Sequence, residues 1–135
     1  MTNLIVDASV AVKWFFDEDG SDAARAILDQ DIVLFAPELI LAEVGNAAWK
    51  RRVKRQVEIA EADFIIERIP ALIQGLAPLS VLAKQAIQIS MALPHPAYDC
   101  FYLALAERER LPIVTADGRL LAAARKLGTI EARPL

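Results

Sequence analysis

Four acidic residues stand where the surrounding sequence is built to be buried. Asp7 follows Leu4-Ile5-Val6 and precedes Ala8-Ser9-Val10-Ala11-Val12, and Glu43 interrupts the run Leu39-Ile40-Leu41-Ala42. Asp99 is the only formal charge between Lys84 and Glu107, and Asp117 follows Pro112-Ile113-Val114-Thr115-Ala116. Two carboxylates about 5 Å apart repel by roughly 3 kcal/mol even at an effective dielectric of about 20. Several together therefore take up protons or recruit a cation. With oxygen ligands alone, Mg²⁺ or Mn²⁺ fits best, because a chain with one histidine and one cysteine lacks the nitrogen and sulfur donors that zinc prefers. Such an ion, held by a few carboxylates, keeps open positions that bind phosphate oxygens and activate water for in-line attack. The chemistry suggested is metal-dependent cleavage or transfer at phosphorus.

Each acid also has an ordinary explanation. Asp7, Asp99 and Asp117 stand near expected helix starts, where a carboxylate caps free amides for about 1 kcal/mol. Glu43 falls about six residues after Pro37, too far into its helix to cap, and its plain alternative is a rim position beside the apolar stripe. His95, the single histidine, lies between Pro94 and Pro96 and reads as a loop constituent. One histidine leaves little room for Ser-His or Cys-His nucleophile pairs. Cys100 reads as a small buried hydrophobe.

The elements that must position these acids follow from the pattern of apolar residues. The 135 residues predict one domain over 1–135, and 56% hydrophobic content exceeds the roughly 45–50% of typical globular chains, which leaves apolar surface for a partner beyond the core. Strands are expected at Leu4–Val6, Ile32–Phe35, within Leu72–Leu79, at Ile113–Thr115 and from Thr129-Ile130. Helices are expected over Val10–Phe16, from a Ser21-Asp22 cap to about Asp29, and from a first turn at Pro37 to about Arg55. Others should cover Glu58–Arg68, Ser80 to just before Pro94, about Tyr98–Arg110, and Asp117 or Gly118 up to Gly128. This alternation predicts an α/β fold with a parallel sheet and helices on both faces. Sites in such folds form at the carboxyl ends of strands, where all four acids can meet.

Charge is divided unevenly along the chain, whose net formal charge is −3. Up to Ala48 there are nine acids and two bases, whereas from Trp49 onward there are nine acids and thirteen bases. Lys50-Arg51-Arg52-Val53-Lys54-Arg55 is either a solvated helix end favoured by the dipole or a phosphate-contacting patch. Asn46, Lys50 and Lys54 share the helix face of Glu43, so Lys50 and Lys54 form either a basic ridge that guides phosphates or a solvated stripe. Trp14, Phe15, Phe16, Tyr98, Phe101 and Tyr102 occupy apolar helical runs and read as core or dimer packing rather than base-stacking platforms. A single cysteine, no bilayer-length apolar stretch and a start without a basic n-region make the expectation cytoplasmic, with no membrane contact.

The motifs Val6-Asp7-Ala8-Ser9-Val10, Ala42-Glu43-Val44-Gly45-Asn46, Tyr98-Asp99-Cys100-Phe101-Tyr102-Leu103-Ala104-Leu105-Ala106 and Val114-Thr115-Ala116-Asp117 resemble, in order and spacing, the acidic motifs of PIN-domain ribonucleases, especially VapC-type toxins. The resemblance implies a PIN-like α/β/α sandwich with a central, mostly parallel sheet, and Mg²⁺- or Mn²⁺-dependent cleavage of RNA. It also implies a homodimer inhibited by a small antitoxin in a type II toxin–antitoxin pair. Carried over by position, Asp7 and Asp99 are the principal metal ligands and Asp117 a ligand or water-mediated partner. Glu43 orients metal-bound water or binds a second ion. Ser9 and Thr115 hydrogen-bond the carboxylates or metal waters, and Asn46 sits beside Glu43.

Rival readings fit less well. A haloacid-dehalogenase-like phosphatase needs a second Asp where Ser9 stands, and a receiver domain needs paired acids near the first strand and a late lysine. The alternative from another class is a non-catalytic protein-binding or regulatory module whose acids serve only as caps.

Overall fold

The first strand, β1 (Thr2–Val6), buries Leu4, Ile5 and Val6 in succession, although neighbouring side chains on a strand point to opposite faces. Both faces of the sheet are therefore covered, as expected for a central parallel strand. The computed structural model describes residues 2–135. From β1 the chain runs through α1 (Ala8–Phe15) and α2 (Ser21–Leu28) to β2 (Ile32–Pro37), then through α3 (Leu39–Val53) and α4 (Ile59–Leu72) to β3 (Gly75–Ala77). A 3₁₀ turn (Leu79–Val81), α5 (Ala83–Ala92) and α6 (Ala97–Glu109) lead to β4 (Ile113–Thr115), and α7 (Gly118–Leu127) leads to β5 (Ala132–Pro134). The sheet order is β3-β2-β1-β4-β5 and every pairing is parallel. The expected α/β architecture is the observed one.

This order creates one topological switch. The chain leaves β1 toward β2 and β3, then returns past β1 to add β4 and β5 on its other side. Crevices at such switches, beyond the strand carboxyl ends, are where open parallel sheets bind ligands. Asp7 directly follows β1, and Asp117 lies two residues beyond β4. Helix α6 packs across β1, β2 and β4, and buries Cys100 and the run Tyr102–Ala106, so its first turn, carrying Asp99, is held firmly against the sheet.

Several expected boundaries move. Pro37 ends β2 instead of opening α3, because the residue before proline is pushed toward extended backbone and the strand end needs no amide from Pro37, whose pairing partner is Ala77. The α3 helix stops at Val53, two residues short of Arg55, where Arg55 turns into the left-handed region (φ 57). Ser21 does not cap α2. Its hydroxyl donates to the Phe16 carbonyl (2.7 Å) and accepts from the Glu18 amide (3.0 Å), tying down the preceding loop. Ser80 lies in the 3₁₀ turn and caps nothing, α4 continues past Arg68 through Pro70, and the last strand begins at Ala132 rather than Thr129. No helix among the described residues is long and apolar enough to cross a membrane.

Phe35 and Gly75 are partners in the β2–β3 register. A Cβ at Gly75 would stand 2.2 Å from Phe35 Cδ1, an overlap neither strand can absorb without shifting. Gly75→Ala is expected to lose about 1–3 kcal/mol of stability by overpacking, measured by urea unfolding. Combining it with Phe35→Leu should recover part of that loss, and strictly additive losses would contradict the clash.

Candidate active site

Two short hydroxyl side chains stitch the ends of β1 and β4 together. Asp7 caps α1, with Oδ1 accepting from Ser9 Oγ (2.7 Å) and the Val10 amide (3.4 Å), while Oδ2 accepts from Thr115 Oγ1 (2.9 Å). Ser9 Oγ accepts in turn from the Ala116 amide (3.0 Å), and Thr115 Oγ1 accepts from the Asp117 amide (3.0 Å). Asp117 caps α7 through Oδ1, which takes the amides of Arg119 (2.8 Å) and Leu120 (3.4 Å). The capping reading of Asp7 and Asp117 is thus correct, yet it does not use up either residue. Among the described residues no donor reaches Oδ2 of Asp117.

The other two acids come from the covering helices. Glu43, in the second turn of α3, accepts at Oε1 from the Tyr102 hydroxyl (2.7 Å). Asp99, in the first turn of α6, caps no amide and instead shares a 2.7 Å hydrogen bond between its Oδ2 and His95 Nε2. At Glu43, Asp99 and Asp117, one carboxylate oxygen is held by the protein and its twin has no donor among the described residues. Such a set is oriented and still has lone pairs to offer.

Electrostatics ties the four into one cluster. Burial is the largest influence on Asp7 and raises its pKa from 3.8 to about 6, against the lowering effect of the Ser9, Thr115 and Val10 hydrogen bonds and with a further push from the Asp117 charge. Burial also raises Glu43; its bond from Tyr102 opposes the shift, and the charges of Asp7 and Asp99 add to it. Tyr102 is raised well above its ordinary range by burial and by Glu43, so it stays a protonated donor. Burial and the Asp99 charge lift the Cys100 thiol to about 11, which keeps it un-ionised and unsuited to nucleophilic attack.

A cation answers this arrangement chemically. The donors are carboxylate oxygens that carry unfavourable negative charge, and their free lone pairs suit a hard dication. Among the described residues, however, no three His, Cys, Asp or Glu side chains are gathered closely enough to cage an ion. Any ion here would therefore touch no more than two of these side chains and complete its shell with water, as hard dications commonly do.

Beside the cluster a cavity of about 400 Å³ is walled by Ser9, Lys13, Glu18, Glu43 and Asn46, among others, so Asn46 stands next to Glu43. Lys13 donates to Glu18 (3.1 Å) and to the Asp19 carbonyl (2.6 Å). The basic run divides in two. Arg51 lies 3.9 Å over the Phe16 ring and 2.7 Å from Glu18, and Arg52 reaches the Val57 carbonyl and Glu58. Lys50, Lys54 and Arg55 are exposed. Of the aromatic residues, Trp14, Phe16 and Tyr102 are core, whereas Tyr98 is exposed.

Two residues of the site were not expected from the sequence. His95 does lie in a loop, but its ring meets Asp99, and Tyr102 serves Glu43 as well as the core. Tyr102 lies three residues after Asp99 on the same face of α6, which is a signal the sequence carries, whereas His95 precedes the helix and reaches Asp99 from the loop.

A model of the family described as PIN domain matches residues 4–126. Ribonuclease VapC1 of Mycobacterium tuberculosis is 30% identical over 125 residues, covering 91% of this chain and 92% of that protein. The crystal structure of PAE2754 from Pyrobaculum aerophilum superposes with a TM-score of 0.70 at 24% identity, over 98% of this chain and 90% of that one. VapBC2 from Rickettsia felis, solved bound to a DNA fragment from its promoter, gives a TM-score of 0.71 at 10% identity, over 99% of both chains.

Proposed function

The chain belongs to the PIN domain family, and from that premise we propose that it is a ribonuclease toxin of a type II toxin–antitoxin pair that hydrolyses RNA phosphodiester bonds with Mg²⁺ or Mn²⁺. The observation that carries this reading is the convergence of Asp7, Glu43, Asp99 and Asp117, from four separate stretches of chain, into one electrostatically coupled set. The likeness to Ribonuclease VapC1 supports RNA as the substrate, and the likeness to VapBC2 supports a small antitoxin as partner. One domain over 1–135, working in the cytoplasm as a homodimer, completes the proposal. Self-association is supported by the exposed apolar residues Val81, Ile87, Met91 and Tyr98.

Asp7 and Asp99 would hold the ion and Asp117 would reach it through water, so that no more than two of these carboxylates need touch it. When bound it supplies Lewis-acid polarisation of a phosphate oxygen and lowers the pKa of water. Ser9 and Thr115 fix both oxygens of Asp7, so its orientation costs no reorganisation during reaction. Tyr102 fixes Oε1 of Glu43 and leaves Oε2 to orient the attacking water and take its proton. The raised pKa of Glu43 brings it nearer the operating pH, where a general base works best. Asn46 lines the same cavity, and exposed Lys50 and Lys54 offer cations to the RNA backbone farther along α3.

The test is direct. Purified protein should fragment RNA with Mg²⁺ or Mn²⁺ and stop when a chelator is added. Folded protein that leaves RNA intact with either ion would overturn the assignment in favour of a non-catalytic binding module, and cleavage indifferent to chelator would overturn the metal chemistry.

A further inference from the structure

A second cavity borders the acid cluster and has the opposite charge. Its volume is about 310 Å³ and its walls are Leu93, His95, Arg119, Ala122, Ala123 and Lys126. The α7 residues in that wall are spaced by three, four and seven, so they form one helix face, with two alanines as a low floor between two long cations. Arg119 and Lys126 are both exposed, and neither forms an ion pair among the described residues. No carboxylate lines this cavity, whereas Glu18 and Glu43 line the one on the α3 side.

Its walls are shared with the site. The His95 ring in this wall binds Asp99 (2.7 Å), and Arg119 gives its backbone amide to Asp117 (2.8 Å) while its guanidinium is free. An RNA strand approaching four carboxylates on a chain of net charge −3 meets repulsion. Cations unpaired within the protein, Arg119 two residues after Asp117 and Lys126 two turns farther along α7, offset that repulsion locally. The α7 amides nearest the site are already taken by Asp117, so on this flank the attraction comes from side chains.

We propose that the His95, Arg119 and Lys126 cavity is a phosphate subsite that grips the RNA backbone flanking the scissile bond, with Arg119 and Lys126 as the binding cations and His95 as the wall joining the subsite to Asp99. This inference rests on the ribonuclease reading and adds the place where substrate is held. Arginine suits it because its planar fork meets two phosphate oxygens at once, and lysine adds a mobile point charge. The subsite selects for a polyanion and not for base identity.

The experiment compares Arg119→Gln/Lys126→Gln with a charge-matched control, Lys84→Gln/Arg125→Gln, whose residues lie outside this cavity. Binding of a short fluorescein-labelled oligouridylate is followed by anisotropy in chelator across a range of KCl, and kcat and KM are measured with Mg²⁺. The cavity variant should bind about tenfold or more weaker than the control, and its log K against log salt slope should be shallower by about 0.7 for each phosphate it no longer neutralises. KM should rise while kcat and the thermal midpoint hold. If the cavity variant matches the control in affinity, slope and KM while wild type cleaves RNA, the subsite is wrong and the ribonuclease assignment stands. If wild type neither binds nor cleaves RNA, both fall.

Discussion

Asp99→Asn lowers kcat for RNA cleavage at least about a hundredfold, equivalent to roughly 2.7 kcal/mol of transition-state stabilisation, and leaves the protein folded. Asp99 caps no amide and is partly exposed, so helix α6 does not depend on its charge. Asparagine retains an oxygen for His95 Nε2 and nearly the same volume. What it removes is the negative charge that bears on Glu43. Initial rates with Mn²⁺ and Mg²⁺, together with a circular dichroism spectrum, read both halves of the result. Equal activity of the variant would remove Asp99 from the catalytic machinery.

The second large effect is on stability, and its sign is opposite to that of an ordinary buried hydrogen-bonded residue. In the folded protein burial raises Asp7 from 3.8 to about 6. Between those values the native state holds a proton that the unfolded chain has released, so the Asp7 contribution to stability is present below 3.8 and falls as pH rises to about 6. Above that window the metal-free protein carries a penalty of about 3 kcal/mol. Asp7→Asn is therefore expected to lose activity and yet to be more stable than wild type at neutral pH without metal. Its advantage should shrink as the solution is acidified below about 6. Urea unfolding of both proteins in chelator, at a series of pH values, reads the Asp7 titration together with its coupling to Glu43, while groups outside the cluster cancel. A variant less stable than wild type at every pH would mean that Ser9, Thr115 and the Val10 amide fully compensate the buried anion.

The four acids differ in how plainly the sequence shows them. Asp7 and Asp117 are legible because a charge at the end of a short β-branched run has to lie at a strand terminus, and a parallel sheet collects such termini on one edge. Glu43 is legible as a charge with no capping role, and the resemblance carried by its motif gave it a purpose. The sheet itself was readable for a related reason: Leu4-Ile5-Val6 and Ile113-Val114-Thr115 are short runs rich in β-branched residues, as buried parallel strands are.

What the sequence hides depends on contacts across the fold. Tyr102 meets Glu43 from 59 positions away, and nothing local separates a core tyrosine from one whose hydroxyl orients a carboxylate. His95 is placed by the turn through Pro94 and Pro96, and its partner emerges only once α6 begins at Ala97. Pro37 and Ser80 mislead because proline and serine serve strand ends and turns as readily as helix starts. The final strand moved to Ala132 because its position is set by register with Ile113, not by its own sequence.

The proposed chemistry depends on a dication held between stretches of chain that meet only in the folded protein. Calorimetric titration of Mn²⁺ into wild type, Asp7→Asn and Asp99→Asn tests this most directly. Saturable binding to wild type, weakened at least about tenfold in each variant, is the predicted result. Binding of equal strength in all three proteins would contradict it.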